Sequence, residues 1–196
     1  MVPRMRRRPA RGGKLQTVTC VLGALAAAAA ASALAANAPR SPLAVVLRPS
    51  DFPAKADPVD AGPMPASFAR KLRGIHAVGR GAQYFASIPF GPERSQTVYG
   101  LVVTTPSIAE ARKVFAWQKR TEMKPGGGES TLSLTGFGDE QVALASGEAG
   151  AGSLLVRRAT TVWRLEVAAD GKLSLAPSRV RDELEKYAAK QRDRIG

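Results

Sequence analysis

Residues 153–168 read SLLVRRATTVWRLEVA, and this stretch decides the fold class. Its two halves, 153–158 and 161–168, are rich in apolar and β-branched residues and only two residues separate them, which is typical of an antiparallel hairpin. Along the second half apolar side chains alternate with charged ones, Trp163, Leu165 and Val167 against Arg164 and Glu166. Because successive side chains of a strand point to opposite faces, the pattern predicts a sheet with one apolar and one charged face here.

The sequence on both sides of this hairpin predicts further strands and three helices. The expected strands are 83–88, 97–104, 141–145 and a short one at 172–175 after the turn Asp170-Gly171. The expected helices begin at Ser67, at Ser107 with Glu110 at capping-box spacing, and at Pro177. This order predicts the α+β class, a single domain with a mainly antiparallel sheet of about five to six strands covered by two or three helices.

The N-terminal residues have the order of a cleavable export signal. Six of the first 14 residues are basic and none is acidic, and an apolar run follows from Val18 to Leu34. Ala33 and Ala35 form an A-x-A site, so residues 1–35 are expected to be removed as a signal peptide. The stretch 15–36 is also long enough to span a bilayer core, so an uncleaved membrane anchor is the alternative. Both interpretations predict export to the periplasm, the cell surface or the medium.

Residues 36–65 are expected to be a linker and residues 66–196 the folded domain. Seven prolines interrupt the first stretch and deny it regular hydrogen bonding. The apolar run 43–47 is an exception within it. This run predicts either a short edge strand or a clamp of the linker against the domain.

The charge of the chain lies partly in the export signal. The formal net charge is +13, and it falls to +7 once the six basic residues of the signal are removed. No basic stripe interleaved with aromatic residues follows, so nucleic acid is not an expected partner. Association with an anionic membrane surface is an alternative. The single cysteine, Cys20, lies inside the signal, so no disulfide is expected in the mature domain.

The residue types limit the chemistry that the domain can perform. His76 is the only histidine and no cysteine follows Cys20. A catalytic pair of a nucleophile and a general base therefore has few candidate residues in this domain. No cofactor, and no metal site built on imidazole or thiolate, is expected. A secreted hydrolase that uses the carboxylates of Asp139, Glu148 and Glu166 is the enzymatic alternative. Gly138 and Asp139 are themselves expected to form a turn, with Gly138 at an unusual backbone angle.

Two groups of side chains are candidates for ligand contact. The hairpin arginines are expected to form a small anion-binding patch, with Asp139 as a further candidate contact: Arg157, Arg158 and Arg164. Four aromatic residues are expected to line a groove between the sheet and its helices: Tyr84, Phe85, Trp117 and Trp163. Ordinary core packing is the alternative for each aromatic side chain.

Four short segments resemble those of exported bacterial α/β envelope domains. They are Asp51-Phe52-Pro53, the stretch AEARKVF at 109–115, Gly138-Asp139-Glu140 and Val156-Arg157-Arg158. The families in question are cell-envelope lipoproteins of the LpqN type and the extracellular sensor domains of receptor-like serine/threonine kinases. In these families a Gly-Asn turn often follows the arginines, where this chain has Ala159-Thr160. The resemblance implies a compact sandwich of sheet and helices that binds or senses something outside the membrane, without catalysis.

Taken together, these observations favour an exported, non-enzymatic binding or sensor-like domain of the bacterial cell envelope. Its expected partner is a small ligand, an envelope polymer or an envelope protein. The carboxylate-dependent hydrolase and the basic protein held at an anionic membrane surface are the alternatives.

Overall fold

The computed structural model describes residues 41–57, 60–89, 94–121, 123, 129–146, 150–171 and 175–196. The expected export signal, with Ala33 and Ala35, lies outside these residues, and so does nearly all of the strand expected at 172–175. Residues Pro39–Gly196 form one unit of the chain, distinct from Met1–Ala38. All that follows concerns the described part of that unit.

Seven strands of the described residues form one sheet in which every neighbouring pair is antiparallel. They are β1 (Asp60–Pro63), β2 (Arg80–Pro89), β3 (Arg94–Thr104), β4 (Glu129–Thr131), β5 (Glu140–Ser146), β6 (Ala151–Arg158) and β7 (Thr161–Gly171). Their order across the sheet is β1-β2-β3-β7-β6-β5-β4. The predicted hairpin is confirmed as β6 and β7, with Leu154 opposite Leu165.

Four α-helices and one 3₁₀ helix accompany the sheet. They are α1 (Pro42–Val45), the 3₁₀ helix Pro49–Asp51, α2 (Ala66–Gly74), α3 (Ile108–Thr121) and α4 (Pro177–Ile195). The predicted α+β class is therefore confirmed, with a seven-stranded sheet. The two strands that the sequence does not predict, β1 and β4, lie at the sheet edges and contain only four and three residues. Strands this short show no readable alternation.

The helices pack on opposite faces of the sheet. Helices α1 and α4 cover one face, called the α4 face here, where Trp163, Leu165 and Val167 of β7 are buried as the alternation predicts. Helices α2 and α3 pack on the other, the α3 face, against Leu155 and Val162 among others.

The α4 face is packed so closely that glycine is needed beneath two side chains. A Cβ atom on Gly100 would lie 1.9 Å from the Tyr84 ring, and one on Gly152 would lie 2.4 Å from Val180 of α4. Both glycines therefore let a large side chain rest directly on the strand backbone.

The stretch expected to be a linker, 36–65, differs from that prediction in its described part. Val45, Val46, Leu47 and Phe52 are buried in the core of the α4 face, and Phe52 stacks on Tyr187 of α4 with ring centroids 5.2 Å apart. Residues 60–63 add strand β1 to the sheet edge. Prolines fit here because they occupy the first turns of α1 and of the 3₁₀ helix, where no backbone donor is required. The run 43–47 therefore acts as the predicted clamp, through a helical turn and not as an edge strand.

None of the helices in the described parts of the chain combines the length and the hydropathy that crossing a bilayer requires.

Candidate functional site

The α3 face is covered over only part of its area. Leu101, Val103 and Leu155, which lie beneath α2 and α3, are each at most 1% exposed. Further along β3 and β6 the side chains Tyr99 and Ser153 of this face are half-buried, and Phe85 on the neighbouring strand β2 is 47% exposed. Helices α2 and α3 therefore leave part of this sheet face open.

The register of the strands defines which side chains make up this open area. Phe85 lies opposite Tyr99, Tyr99 opposite Glu166, and Glu166 opposite Ser153, so one row runs across four neighbouring strands. Ser87 and Thr97 form a second pair beside that row. Apart from the exposed Phe85, these side chains are half-buried. The name open surface is used below for these six residues: Phe85, Ser87, Thr97, Tyr99, Ser153 and Glu166.

Hydrogen bonds and one ion pair organise the border of the open surface. The Tyr99 hydroxyl donates to Oε1 of Gln83 at 3.4 Å. Arg164 lies next to Glu166 on the same face, with Nη2 3.0 Å from Oε1. The two opposite charges neutralise each other, so the open surface combines an aromatic pair with polar groups of no net charge. Such a surface suits a neutral ligand that has both an apolar side and hydroxyl groups.

Of the four aromatic residues expected to line a groove, Phe85 lies on the open surface. Tyr84 and Trp163 are each 1% exposed and point into the α4 face. Trp117 is 8% exposed and packs edge-on against Phe68 of α2, with ring centroids 5.2 Å apart. Core packing, the alternative given above, therefore describes these three side chains.

The arginines of the hairpin do not form one patch. Arg157 and Arg158 are adjacent on β6 and so point to opposite faces. Arg157 is 4% exposed and its guanidinium is occupied: Nη1 is 2.8 Å from Oδ2 of Asp139, and Nη2 is 2.9 Å from Oε1 of Glu140. Arg164 pairs with Glu166 further along the sheet. The expected anion-binding patch is thus corrected to a buried clamp around Arg157 and a separate surface pair.

The clamp also fixes the turn between β6 and β7. Arg157 donates to the carbonyl oxygen of Ala159, and the Ala159 amide donates to Oδ2 of Asp139 at 2.9 Å. Ala159 itself has a φ of 49°, in the left-handed region. The residues expected to contact a ligand, Arg157 and Asp139, therefore hold the backbone of this turn in place.

The turn before β5 differs from its predicted form. Gly136, and not Gly138, has the unusual backbone angle, with a φ of 85°. Gly138 serves another purpose, because a Cβ atom there would lie 2.5 Å from the carbonyl oxygen of Arg157. Gly138 therefore accommodates the close approach of this turn to β6, and Gly136 allows the left-handed backbone conformation.

The described catalytic candidates occupy separate places. Asp139 is bound by Arg157 and Glu166 by Arg164, at different positions along the sheet, while Glu148 lies outside the described residues. His76 has a φ of 53° and ends α2: its amide donates to the Arg73 carbonyl, and the Ala77 amide donates to the Leu72 carbonyl. That pair of bonds is a Schellman motif, so His76 has a structural role as the left-handed residue that terminates the helix.

A cavity of about 570 Å³ lies at one end of the sheet, away from the open surface. Its lining comes from the start of α1, the start of β2 and the end of β3: Ser41, Pro42, Val78, Gly79, Arg80, Thr104, Thr105 and Pro106. Large apolar side chains reach solvent around it, with Val78 64% exposed. The sequence offered no signal for this cavity, because its lining comes from three separate segments.

Sequence reasoning also missed most of the open surface. Alternation along β3 puts Tyr99 on the same face as Leu101 and Val103, but its exposure depends on where α2 and α3 end, which strand periodicity does not encode. Within the described segments no three His, Cys, Asp or Glu side chains are grouped as a metal ion requires.

The described residues define a class of α+β protein, with one seven-stranded antiparallel sheet that is closed on one face and partly open on the other. The chain is similar to the extracellular domain of PknH from Mycobacterium tuberculosis, with 15% sequence identity and a TM-score of 0.49; the match covers 81% of this chain and 97% of that chain. No protein-family model and no curated protein matches the sequence.

Proposed function

We propose that this protein is an exported, non-enzymatic binding domain of the bacterial cell envelope, and that the open surface is where it binds its ligand. The observation that carries the proposal is Phe85, which is 47% exposed on a sheet strand directly opposite the half-buried Tyr99. An aromatic side chain that is exposed on a sheet face, such as Phe85, lacks the stabilisation of burial in the free protein. A ligand that covers it restores that benefit.

The chemistry of the surface favours a sugar chain as the ligand. A sugar ring has an apolar C–H side, which packs on aromatic rings, and a rim of hydroxyl groups, which need donors and acceptors. The open surface supplies both, with Phe85 and Tyr99 beside hydroxyls and the Arg164–Glu166 pair. Because that pair is neutral, a neutral envelope polysaccharide is preferred over an anionic one.

Two further observations support binding without catalysis outside the cytoplasm. The open surface contains one carboxylate, Glu166, and Arg164 pairs with it, so no second acid or base completes a hydrolytic pair among the described residues of this surface. The export signal expected at residues 1–35 delivers the domain to the compartment in which envelope polysaccharides lie.

Titration calorimetry of the full chain tests the proposal, with soluble fragments of neutral envelope polysaccharide as the probe. Phe85→Ala is expected to weaken binding about 30-fold, the effect of removing an aromatic residue at the centre of a binding surface. The matched control is Leu43→Ala, since Leu43 is similarly exposed, at 52%, but belongs to α1 and not to this surface.

Equal affinities of Phe85→Ala and the unsubstituted chain would overturn the assignment of the surface. Absence of binding to every neutral fragment would overturn the assignment of the ligand class. Release of shortened polysaccharide fragments during the titration would show hydrolysis and would favour the hydrolase over the non-enzymatic binding domain.

A further inference from the structure

Two arginines lie at the same end of the sheet as the cavity. Arg80 lies opposite Thr104, Thr104 opposite Thr161, and Thr161 opposite Arg158, so these four residues form one row across β2, β3, β7 and β6. With neighbouring strands about 4.8 Å apart, the two arginines begin about 14 Å apart on the same side of the sheet. Arg80 also lines the cavity.

The same end exposes large apolar side chains. Of the four large hydrophobic side chains that are exposed in the described residues, Phe85 belongs to the open surface. The other three flank or line the cavity: Leu43 follows Pro42, Val78 lines the cavity, and Ile108 is two residues after Pro106. Their exposed fractions are 52%, 64% and 48%. The name apolar end is used below for Leu43, Val78 and Ile108.

The charges that remain unpaired around the apolar end are positive. Glu110 accepts hydrogen bonds from Lys113 and from the Val78 amide, and these bonds lower its pKa and keep it ionised and paired. Asp139 and Glu140 are both bound to Arg157. Arg80 and Arg158 form no ion pair with any residue that the structure describes. The surface there is apolar with an excess of positive charge.

We propose that the apolar end rests on the surface of a bilayer that contains anionic lipids. Exposed aliphatic side chains enter the headgroup boundary, and arginines beside them attract the phosphates. In the uncleaved form, in which the stretch 15–36 is a membrane anchor, the continuity of the chain also supports this occupant, because Ser41 lines the cavity and follows the apolar run 18–34 by only a few residues. The proposal does not depend on the ligand of the open surface, which uses different residues.

Site-specific fluorescence on the full chain tests the contact. A polarity-sensitive dye is attached at Ile108→Cys, and as a control at Asp182→Cys on the exposed side of α4, both in a Cys20→Ser background. The chains are reconstituted into vesicles of phosphatidylcholine alone or mixed with phosphatidylglycerol. The dye at position 108 is expected to shift to the blue only on the mixed vesicles, and the dye at position 182 on neither.

Substitution of Arg80 and Arg158 distinguishes docking of the apolar end on the bilayer from attachment of the chain elsewhere. Arg80→Gln with Arg158→Gln is expected to weaken docking about 30-fold, since each basic side chain near an anionic surface contributes about a fivefold factor. High salt is expected to act in the same direction. If Ile108→Cys does not fold, Val78→Cys serves as the labelled position.

Three outcomes overturn the proposal. One is an unshifted dye at position 108 on mixed vesicles, and another is an equal shift on neutral vesicles. The third is a shift without lipid that grows with protein concentration, which assigns the apolar end to contact with a second copy of the chain. None of these outcomes affects the binding test of the open surface.

Discussion

One face of the sheet is closed by α4 and α1, whereas α2 and α3 close only part of the other. On the closed face even polar atoms are buried without a partner among the described residues, including the hydroxyls of Tyr84 and Tyr187 and Nε1 of Trp163. Burial raises the pKa of both tyrosines, so they stay protonated and neutral. On the α3 face, by contrast, Arg164 pairs with Glu166, Tyr99 donates to Gln83, and the aromatic residue Phe85 is exposed.

This difference indicates what each face contributes. The α4 face accepts the cost of unpaired polar atoms because its aromatic side chains bury a large apolar area. It stabilises the domain and has little tolerance for change. The α3 face leaves apolar area uncovered, which gives no stability to the free protein but is available to a ligand. Substitutions should therefore affect folding on the first face and binding on the second.

The largest effect is expected from Gly100→Ala on the α4 face. The added methyl group would lie 1.9–2.2 Å from atoms of the Tyr84 side chain, which is 1% exposed and has the Phe52 ring 6.3 Å away. Overpacking of this kind is expected to lower the free energy of unfolding by about 3 kcal/mol. Urea denaturation of the two chains measures it.

Gly62→Ala on β1 is the control, because a Cβ atom there meets nothing within 4 Å. Its effect is expected to stay within about 0.5 kcal/mol. Comparable losses for the two variants would mean that the close contact between Tyr84 and the strand is not what makes the closed face intolerant.

A smaller and pH-dependent effect is expected from Asp51→Asn, also on the α4 face. Burial tends to raise the pKa of Asp51, but hydrogen bonds from Arg194 and from the Arg48 amide outweigh it, so the pKa is lowered. A carboxyl group with a lowered pKa stabilises the fold above the pKa of the unfolded chain, and the stabilisation is lost as the pH falls through the folded value. At neutral pH the substitution is expected to cost about 1.5 kcal/mol.

Urea denaturation at neutral pH and near pH 3 checks this expectation. The difference between Asp51→Asn and the unsubstituted chain should be largest at neutral pH and shrink in acid. Asp182→Asn provides the control, since Asp182 is exposed on α4 and has no ion pair with the described residues. A pH-independent cost would show that the Asp51 charge is not what joins the 3₁₀ helix to α4.

The sequence was sufficient for the α+β class because the alternation along 161–168 and the starts of α3 and α4 are local signals. For residues 41–63 the prolines indicate only a lack of regular hydrogen bonding, whereas the structure buries Phe52 and its neighbours in the core. Proline prevents backbone donation, but it does not prevent burial of the apolar residues beside it.

The candidate site was harder to predict because exposure is a tertiary property. Tyr84 and Phe85 are adjacent aromatic residues with the same local sequence signal. Phe85 is exposed and Tyr84 is buried because they point to opposite faces of the sheet. The prediction of an anion-binding patch from the hairpin arginines was wrong for a similar reason. Arg157 is a buried clamp because Glu140, distant in sequence, lies opposite it in the sheet register and Asp139 directly precedes Glu140.

The smallest effect, a gain in stability, is expected at the turn between β6 and β7. Ala159 adopts a left-handed φ of 49° there, which glycine and asparagine accept more readily than alanine does. Ala159→Gly keeps both backbone hydrogen bonds of the clamp and removes the strain, so a gain of about 0.5–1 kcal/mol in urea denaturation is expected. Ala109→Gly in α3 is the matched control of opposite sign, with an expected loss of about 1 kcal/mol because glycine weakens a helix. A loss at both positions would mean that the Arg157 clamp, and not the identity of the turn residue, determines the stability of this turn.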